Sequence, residues 1–130
     1  MLRHAYFPEF ESGPKLVIWG DADGMRDLME VFNTAAKEPS LFSLCDLSVD
    51  GTRIVLETAE NPTGVRRDIR DTGIFHWQVD QDGWYAFAEQ VEPLTRCSSA
   101  KPGHQHLECL ADGEIIVMVS CGEYPDDLKP

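Results

Sequence analysis

The sequence has 130 residues, of which 42% are hydrophobic, a size and composition typical of one globular domain. Its 23 acidic and 11 basic residues give a net charge of −12, which disfavours nucleic acid and anionic membrane as partners, because both attract Lys and Arg. No apolar run approaches the ~18 residues of a membrane span and the first ten residues lack the apolar centre of a secretory signal, so a cytoplasmic protein is expected.

The N-terminal part of the chain has the composition of a strand. Tyr6, Phe7 and Phe10 predict an aromatic strand or arm that packs on a sheet. Residues 15–24 then form an apolar run with a tryptophan, followed by acidic residues and an Asp-Gly pair. Residues 74–83 repeat this pattern. We expect both tryptophans in the core, because they lie in matching apolar runs.

A helical pattern follows each of these two segments. Asp21 or Asp23 is placed to cap the first helix, and Asp80 or Asp82 the second. Apolar residues recur at spacings of three and four, which puts them on one face of each helix. They are Met25, Leu28, Met29, Phe32, Ala35 and Ala36 in the first helix, and Trp84, Phe87, Ala88, Val91 and Leu94 in the second. Pro93 is expected to end or bend the second helix.

A hairpin pattern follows each helix. Asp50-Gly51 and Asp112-Gly113 each lie between two alternating apolar runs. Asp-Gly in this setting is a strong signal for a tight two-residue turn. The four predicted strands are residues 44–49, 52–58, 107–111 and 114–120.

The repeated order of strand, helix and hairpin indicates a tandem βαββ duplication within one domain, residues 1–130. The repeats cover about residues 14–60 and 73–124, with a connector at 61–72. Neither unit can bury its apolar face alone, so we expect the two to pair about a pseudo-twofold axis. The predicted fold is α+β, with a mainly antiparallel sheet of about six strands and two helices packed on one face. The other face of the sheet is then open to water or to a partner.

The connector contains the densest basic cluster of the chain, formed by Arg66, Arg67 and Arg70. Solvated charge on an exposed linker is the ordinary interpretation of such a cluster, and an anion-binding site is the alternative.

One polar constellation precedes the second hairpin turn. Side chains alternate along a strand, so His104, His106 and Glu108 share one face. Counting outward from a two-residue turn at Asp112-Gly113 places His104 opposite Cys121 and His106 opposite Val119. His104, His106 and Glu108, with Cys121, are therefore predicted to lie together on a surface outside the core.

Three interpretations of this surface remain open. Imidazole, carboxylate and thiolate ligands suit Zn²⁺, so His104, His106, Glu108 and Cys121 are candidate metal ligands. An exposed polar strand face that binds a partner through His104, His106 and Glu108 is the second interpretation. Ordinary solvated histidines are the third. The first repeat carries Phe, Leu and Asp at the corresponding positions, so the unit does not predict a second metal site.

No catalytic residues are predicted. The sequence has no nucleophile elbow, Walker loop, H-E-x-x-H or dinucleotide fingerprint. A nucleophilic pair of Cys121 and His104 needs an activated thiolate, which an acidic chain disfavours. The cysteines form no C-x-x-C pair, so reduced thiols are expected in the cytoplasm.

With these motifs set out, the second half of the chain resembles small bacterial immunity proteins of polymorphic-toxin systems. The resemblance covers roughly the last 55 residues and rests on Val79-Asp-Gln-Asp-Gly83, on His104-Gln-His106-Leu107-Glu108 and on the strand pattern at residues 114–120. It implies a non-enzymatic protein that binds and neutralises a cognate toxin in the cytoplasm.

The sequence therefore favours a cytoplasmic, non-catalytic protein-binding module, immunity-like. Its negative charge is ordinary for solubility in a cytosolic protein, and the alternative interpretation is a match to a basic protein partner. A small metal-binding protein using His104 and His106 on a strand is the main alternative. A homodimeric structural domain that pairs through its open sheet face is the third.

Overall fold

The structure, a computed structural model, describes residues 1–11, 13–38, 42–43 (main chain only) and 48–130. In chain order its elements are β1 (Leu2–Phe10), β2 (Gly13–Gly20), α1 (Ala22–Lys37), β3 (Phe42–Ser43), β4 (Arg53–Thr58), β5 (Gly64–Arg67), β6 (Ile74–Val79), α2 (Gln81–Val91), a 3₁₀-helix (Glu92–Arg96), β7 (Gly103–Leu107) and β8 (Ile116–Cys121). This is an α+β fold. No helix in the described part of the chain is long and apolar enough to span a membrane.

Both helices begin at the aspartates that the sequence marks as caps. The Asp21 carboxylate accepts a hydrogen bond from the Gly24 main-chain N–H at 2.8 Å, and Asp80 does the same for Gly83 at 2.7 Å. An N-cap carboxylate satisfies a donor that has no partner within the helix and interacts well with the helix dipole. Pro93 ends α2, and the chain continues as the short 3₁₀-helix.

The strands form two four-stranded sheets rather than the single six-stranded sheet that we expected. Their orders are β1-β2-β8-β7, called here the first sheet, and β3-β4-β6-β5, the second sheet. In each, the central pair is parallel and the outer pairs are antiparallel. The prediction of a single sheet was wrong. Each sheet combines strands from both halves of the chain, which are joined by the parallel pairs β2 with β8 and β4 with β6.

The two halves of the chain have matching topologies. If β1 to β4 and α1 are matched in order to β5 to β8 and α2, the order of one sheet becomes that of the other. Each half is therefore ββαββ rather than βαββ, because a hairpin partner precedes β2 and β6. This arrangement is compatible with a tandem duplication, which stays a prediction.

One core joins both sheets to both helices. Its buried members include the predicted helix positions apart from Met29, which is only partly buried. From the strands it includes Leu16, Ile18, Ile54, Leu56, Phe75, Trp77, Val79, Leu107, Val117 and Val119. The rings of Phe32, Trp77, Trp84 and Phe87 contact one another at centroid distances of 5.1–6.1 Å. Aromatic side chains bury large areas, so this cluster is a main source of the stability of the fold.

A second, smaller cluster lies on the other face of the first sheet. Its buried members are Ala5, Phe7, Val17, Trp19 and Met118. The C-terminal segment packs over it through Tyr124 and Leu128, and Trp19 Nε1 donates a hydrogen bond to the Pro125 carbonyl oxygen at 3.0 Å. This face of the sheet is therefore partly covered by the chain itself.

Part of the predicted connector is a strand. Gly64–Arg67 forms β5 and pairs antiparallel with β6, and Val65 is buried. The connector was misread because Gly64 and two arginines give β5 the composition of a loop, while tertiary pairing decides its conformation. In the first hairpin, residues 44–47 of the predicted strand lie outside the described residues, whereas β4 matches the expected second strand.

A disulfide joins Cys97, after the 3₁₀-helix, to Cys121 at the end of β8, with a Cα–Cα distance of 6.1 Å. The expectation of reduced thiols is wrong for this pair. The two cysteines are 24 residues apart in the sequence. Cys109 is free.

Candidate functional site

The predicted histidine pair lies on β7, at the edge of the first sheet. His104 and His106 are exposed on the sheet face opposite the helices, and Leu107 is buried in the core. The centroids of the two imidazole rings are 5.5 Å apart. The strand alternation thus places both histidines outside the core, as the sequence predicts.

The partner residues on β8 differ from those expected. His104 pairs with Ser120 and His106 with Met118, one residue away from the predicted register. The cause is the connection between the strands. It spans residues 108–115 instead of forming a two-residue turn, and it contains Leu110 with φ 59°. A shift of one residue reverses the face of every partner side chain. Cys121 consequently faces the core.

A different carboxylate lies beside His104. His104 Nδ1 is 3.1 Å from Glu123 Oε1, and the Ser120 hydroxyl donates to the same carboxylate oxygen at 2.6 Å. Glu108 follows the end of β7 and is exposed. We call His104, His106, Ser120 and Glu123 the β7 surface. The sequence gives no local signal for Glu123, because a chain reversal after β8 brings it back to the strand.

The structure separates Cys121 from the histidines. Its sulfur is bonded to Cys97, and the residue is fully buried in the main core. Cys121 is thus not available as a metal ligand in this state. Among the residues that the structure describes, no group of three or more His, Cys, Asp and Glu residues is arranged to hold a metal ion.

The outer face of the second sheet carries a polar cluster that the sequence did not indicate. His76 on β6 lies between two carboxylates: Nδ1 is 2.9 Å from Glu57 Oε1, and Nε2 is 2.7 Å from Asp68 Oδ2. Gln78 donates to the other Glu57 oxygen at 2.7 Å. The three charged residues are eight to nineteen positions apart in the chain and meet because β4 and β5 both pair with β6. No short motif could therefore identify them.

The two carboxylates favour the charged form of this imidazole. Hydrogen bonds to Asp68 and Glu57 raise the pKa of His76 above 6.5 despite its partial burial. The same hydrogen bond from His76, with main-chain N–H donors from Asp71 and Arg70, lowers the pKa of Asp68 to about 2. Both ring nitrogens of His76 are engaged by carboxylates, an arrangement that favours the charged imidazolium.

The Asp68 side chain also shapes the loop between β5 and β6. One of its oxygens accepts from the main-chain N–H groups of Arg70 and Asp71, at 2.8 and 2.9 Å. Ile69 lies at the tip of this loop with 99% of its surface exposed. A groove of about 550 Å³ runs beside the loop. Its lining combines the exposed isoleucine with the three connector arginines, Asp68, Thr63, His76 and Gln78.

Cys109 has a free thiol and is half-buried beyond the end of β7. Burial, together with the nearby Glu114 carboxylate, raises its pKa to about 11. The thiolate is the nucleophilic form of cysteine, so Cys109 is protonated and unreactive near neutral pH.

Comparison with protein-family models, with curated proteins and with solved structures found no match for this chain.

Proposed function

We propose that this protein is a non-catalytic protein-binding module that binds a basic protein, and that it serves as an immunity-like neutraliser of a toxin. The charge of the chain supports a basic partner, since 23 acidic residues against 11 basic ones give a net charge of −12. Complementary charge speeds the encounter of two proteins and disfavours wrong partners. The resemblance of the second half of the chain to immunity proteins supports the role of the partner as a toxin.

The position of β7 at the edge of its sheet is the observation that carries the proposal. An edge strand offers main-chain donors and acceptors along one side, and another protein can bind them by adding a strand. Gln90 from α2 reaches this edge and donates to the His106 carbonyl oxygen at 3.4 Å, a long hydrogen bond that a partner can replace. The β7 surface, with Glu108 beside it, would then provide the specific side-chain contacts.

The location of the protein is part of the proposal. The sequence predicts the cytoplasm, whereas a disulfide such as Cys97–Cys121 is more typical of oxidising compartments. We place the protein in the cytoplasm, as an immunity protein requires. Fractionation of the cells tests that placement, and recovery of the protein from an oxidising compartment would contradict it.

Photo-cross-linking in cells tests the proposed surface. A photoreactive side chain at Glu108, exposed at the end of β7, is expected to capture one basic protein. The same group at Ala86, exposed on α2, is the matched control and is expected to capture none of it. The double variant His104→Ala, His106→Ala should abolish the adduct from position 108, and raised salt should weaken it by screening the attraction.

Three outcomes would contradict the proposal. An adduct of equal yield from positions 86 and 108 would indicate contact without specificity. An adduct between two copies of this chain would favour the homodimer, in which β7 pairs with itself. Absence of any adduct at position 108 in cells that carry the partner gene would remove β7 as the binding edge.

A further inference from the structure

The three arginines of the groove beside Ile69 lack carboxylate partners in a chain rich in carboxylates. Within the described residues, Arg26 and Arg96 each form a salt bridge on their own helix, with Asp23 and Glu92. Among the described residues, Arg66, Arg67 and Arg70 form none, and neither do Arg3 and Arg53. The feature that sets the three groove arginines apart is that they lie within five positions of one another.

Two of these arginines are held in place by neutral groups. The guanidinium carbon of Arg67 lies 4.4 Å from the centroid of the Tyr6 ring and 5.2 Å from that of Phe75. Phe75 belongs to the main core and pairs with Arg67, so the Arg67 guanidinium lies on the core-facing side of the sheet, opposite to His76 and Gln78 of the groove. Arg66 donates to the main-chain carbonyl of Asp112 at 2.6 Å, which tethers its side chain without neutralising its charge.

The third arginine, Arg70, lies on the loop between β5 and β6. The main-chain N–H of Arg70 is bound by Asp68, and Asp68 is bound by His76. His76 is hydrogen-bonded to Glu57 as well as to Asp68. The guanidinium groups of Arg66 and Arg70 are the arginine charges of the lining that are not stacked on the core side of the sheet.

We propose that this groove binds an oxyanion, a carboxylate or phosphate group, attached to an apolar body that contacts Ile69. Planar guanidinium groups suit both oxyanions because two parallel N–H donors match two oxygens. The exposed Ile69 side chain at the groove wall supplies the apolar contact. The groove is on the second sheet, whereas the β7 surface is on the first, so this site is additional to the proposed protein-binding edge.

The test is an NMR titration of the ¹⁵N-labelled full-length protein at constant ionic strength. The probes are inorganic phosphate, acetate and their phenyl derivatives, phenyl phosphate and phenylacetate. We expect saturable shifts of the amides of Thr63, Ile69 and Arg70, with tighter binding of each phenyl derivative than of its parent anion. The comparison between the two anion series identifies which oxyanion the site prefers.

Two variants with one matched control separate a site from bulk charge. Arg66→Gln and Arg70→Gln are each expected to weaken binding about tenfold, as loss of a charge-assisted bidentate contact does. Arg53→Gln removes the same charge from the exposed start of β4 and should leave binding within about twofold. Equal weakening by all three variants, or shifts that rise linearly without saturation, would overturn the proposal. A folded Arg70→Lys protein that binds as tightly as the parent would exclude a bidentate guanidinium contact.

Discussion

At the scale of single residues, the sequence predicts which side chains face away from the core better than it predicts their neighbours. His104 and His106 are exposed as expected, because a strand alternates whatever its register. Their neighbours depend on the length of the connection to β8, which Asp112-Gly113 did not reveal. Glu123 and Ser120 therefore replace Cys121 in the observed surface.

The His76 cluster predicts a pH dependence of stability. The pKa of His76 is raised in the folded state. Its contribution to the free energy of unfolding is therefore complete below pH 6.5, and it is lost as the pH rises through the pKa of the folded protein. We expect His76→Gln to lower the free energy of unfolding by about 0.5–1 kcal/mol at about pH 5.5 and by less at about pH 8.5. Urea unfolding at the two pH values measures the difference, with His104→Gln as the control imidazole.

Asp68, in the same cluster, has the opposite pH dependence. Because its pKa is lowered in the folded state, its contribution to the free energy of unfolding is complete above pH 3.8 and is lost as the pH falls toward about 2. A pH-independent difference between the parent protein and His76→Gln would contradict the assignment of His76 as a cation held by two carboxylates.

Gly64 at the start of β5 is predicted to be intolerant of a side chain. Its φ of +71° is strained for any other residue, and an added Cβ would collide with the Glu114 carboxylate. Glu114 cannot move freely because it accepts from the main-chain N–H groups of Cys109 and Ala111, both at 3.0 Å. We expect Gly64→Ala to destabilise the fold by about 2 kcal/mol or more.

Gly51 provides the matched control, since its φ is +81° and a Cβ there meets nothing within 4 Å. Gly51→Ala should therefore cost only the conformational strain, about 1 kcal/mol. Chemical denaturation of both variants measures the two costs. Equal losses would show that the Glu114 contact adds nothing.

At the scale of elements, the helices were predictable and the sheets were not. Helix positions follow from local signals, namely a capping aspartate and an apolar period within 16 or 11 residues. Sheet composition depends on pairing between distant segments. The parallel pairs β2–β8 and β4–β6 have no turn residues to mark them, so the sequence could suggest hairpins but not the two-sheet arrangement.

The helix caps give a test at this scale. Asp80→Ala removes the acceptor for the Gly83 N–H and should lower the free energy of unfolding by about 1 kcal/mol. Asp82, exposed in the first turn of α2, keeps only its interaction with the helix dipole, so Asp82→Ala should cost about 0.5 kcal/mol or less. Urea denaturation followed by circular dichroism compares them, and a larger loss for Asp82→Ala would reverse the assignment of the cap.

At the scale of the whole molecule, the disulfide joins the end of the 3₁₀-helix to the end of β8. It links positions 24 residues apart and so restricts the unfolded chain. We expect reduction, or the variant Cys97→Ala, to lower the free energy of unfolding by about 3 kcal/mol. Unfolding with and without a reductant measures this, and identical curves for the oxidised parent protein and Cys97→Ala would argue against a stabilising bond.

How much of the function the sequence can predict depends on whole-molecule properties, namely net charge and strand order. Net charge suggests a class of partner, because it is a property of the whole surface. The location of a binding surface requires the strand order, and only that order shows β7 at an edge. To locate the groove beside Ile69, both the sequence and the strand order are required. Its arginines are clustered in the sequence, but its walls come from β5, β6 and the loop between them.

Native mass spectrometry of untagged protein, isolated without chelator from the cells that encode it, distinguishes the protein-binding module from the metal-binding alternative. We expect a complex of fixed stoichiometry with one basic protein, which dissociates as the salt concentration rises and is lost in the His104→Ala, His106→Ala variant. A metal-loaded chain without a protein partner, whose metal is lost on His106→Ala, would contradict the proposed function and establish the metal-binding alternative.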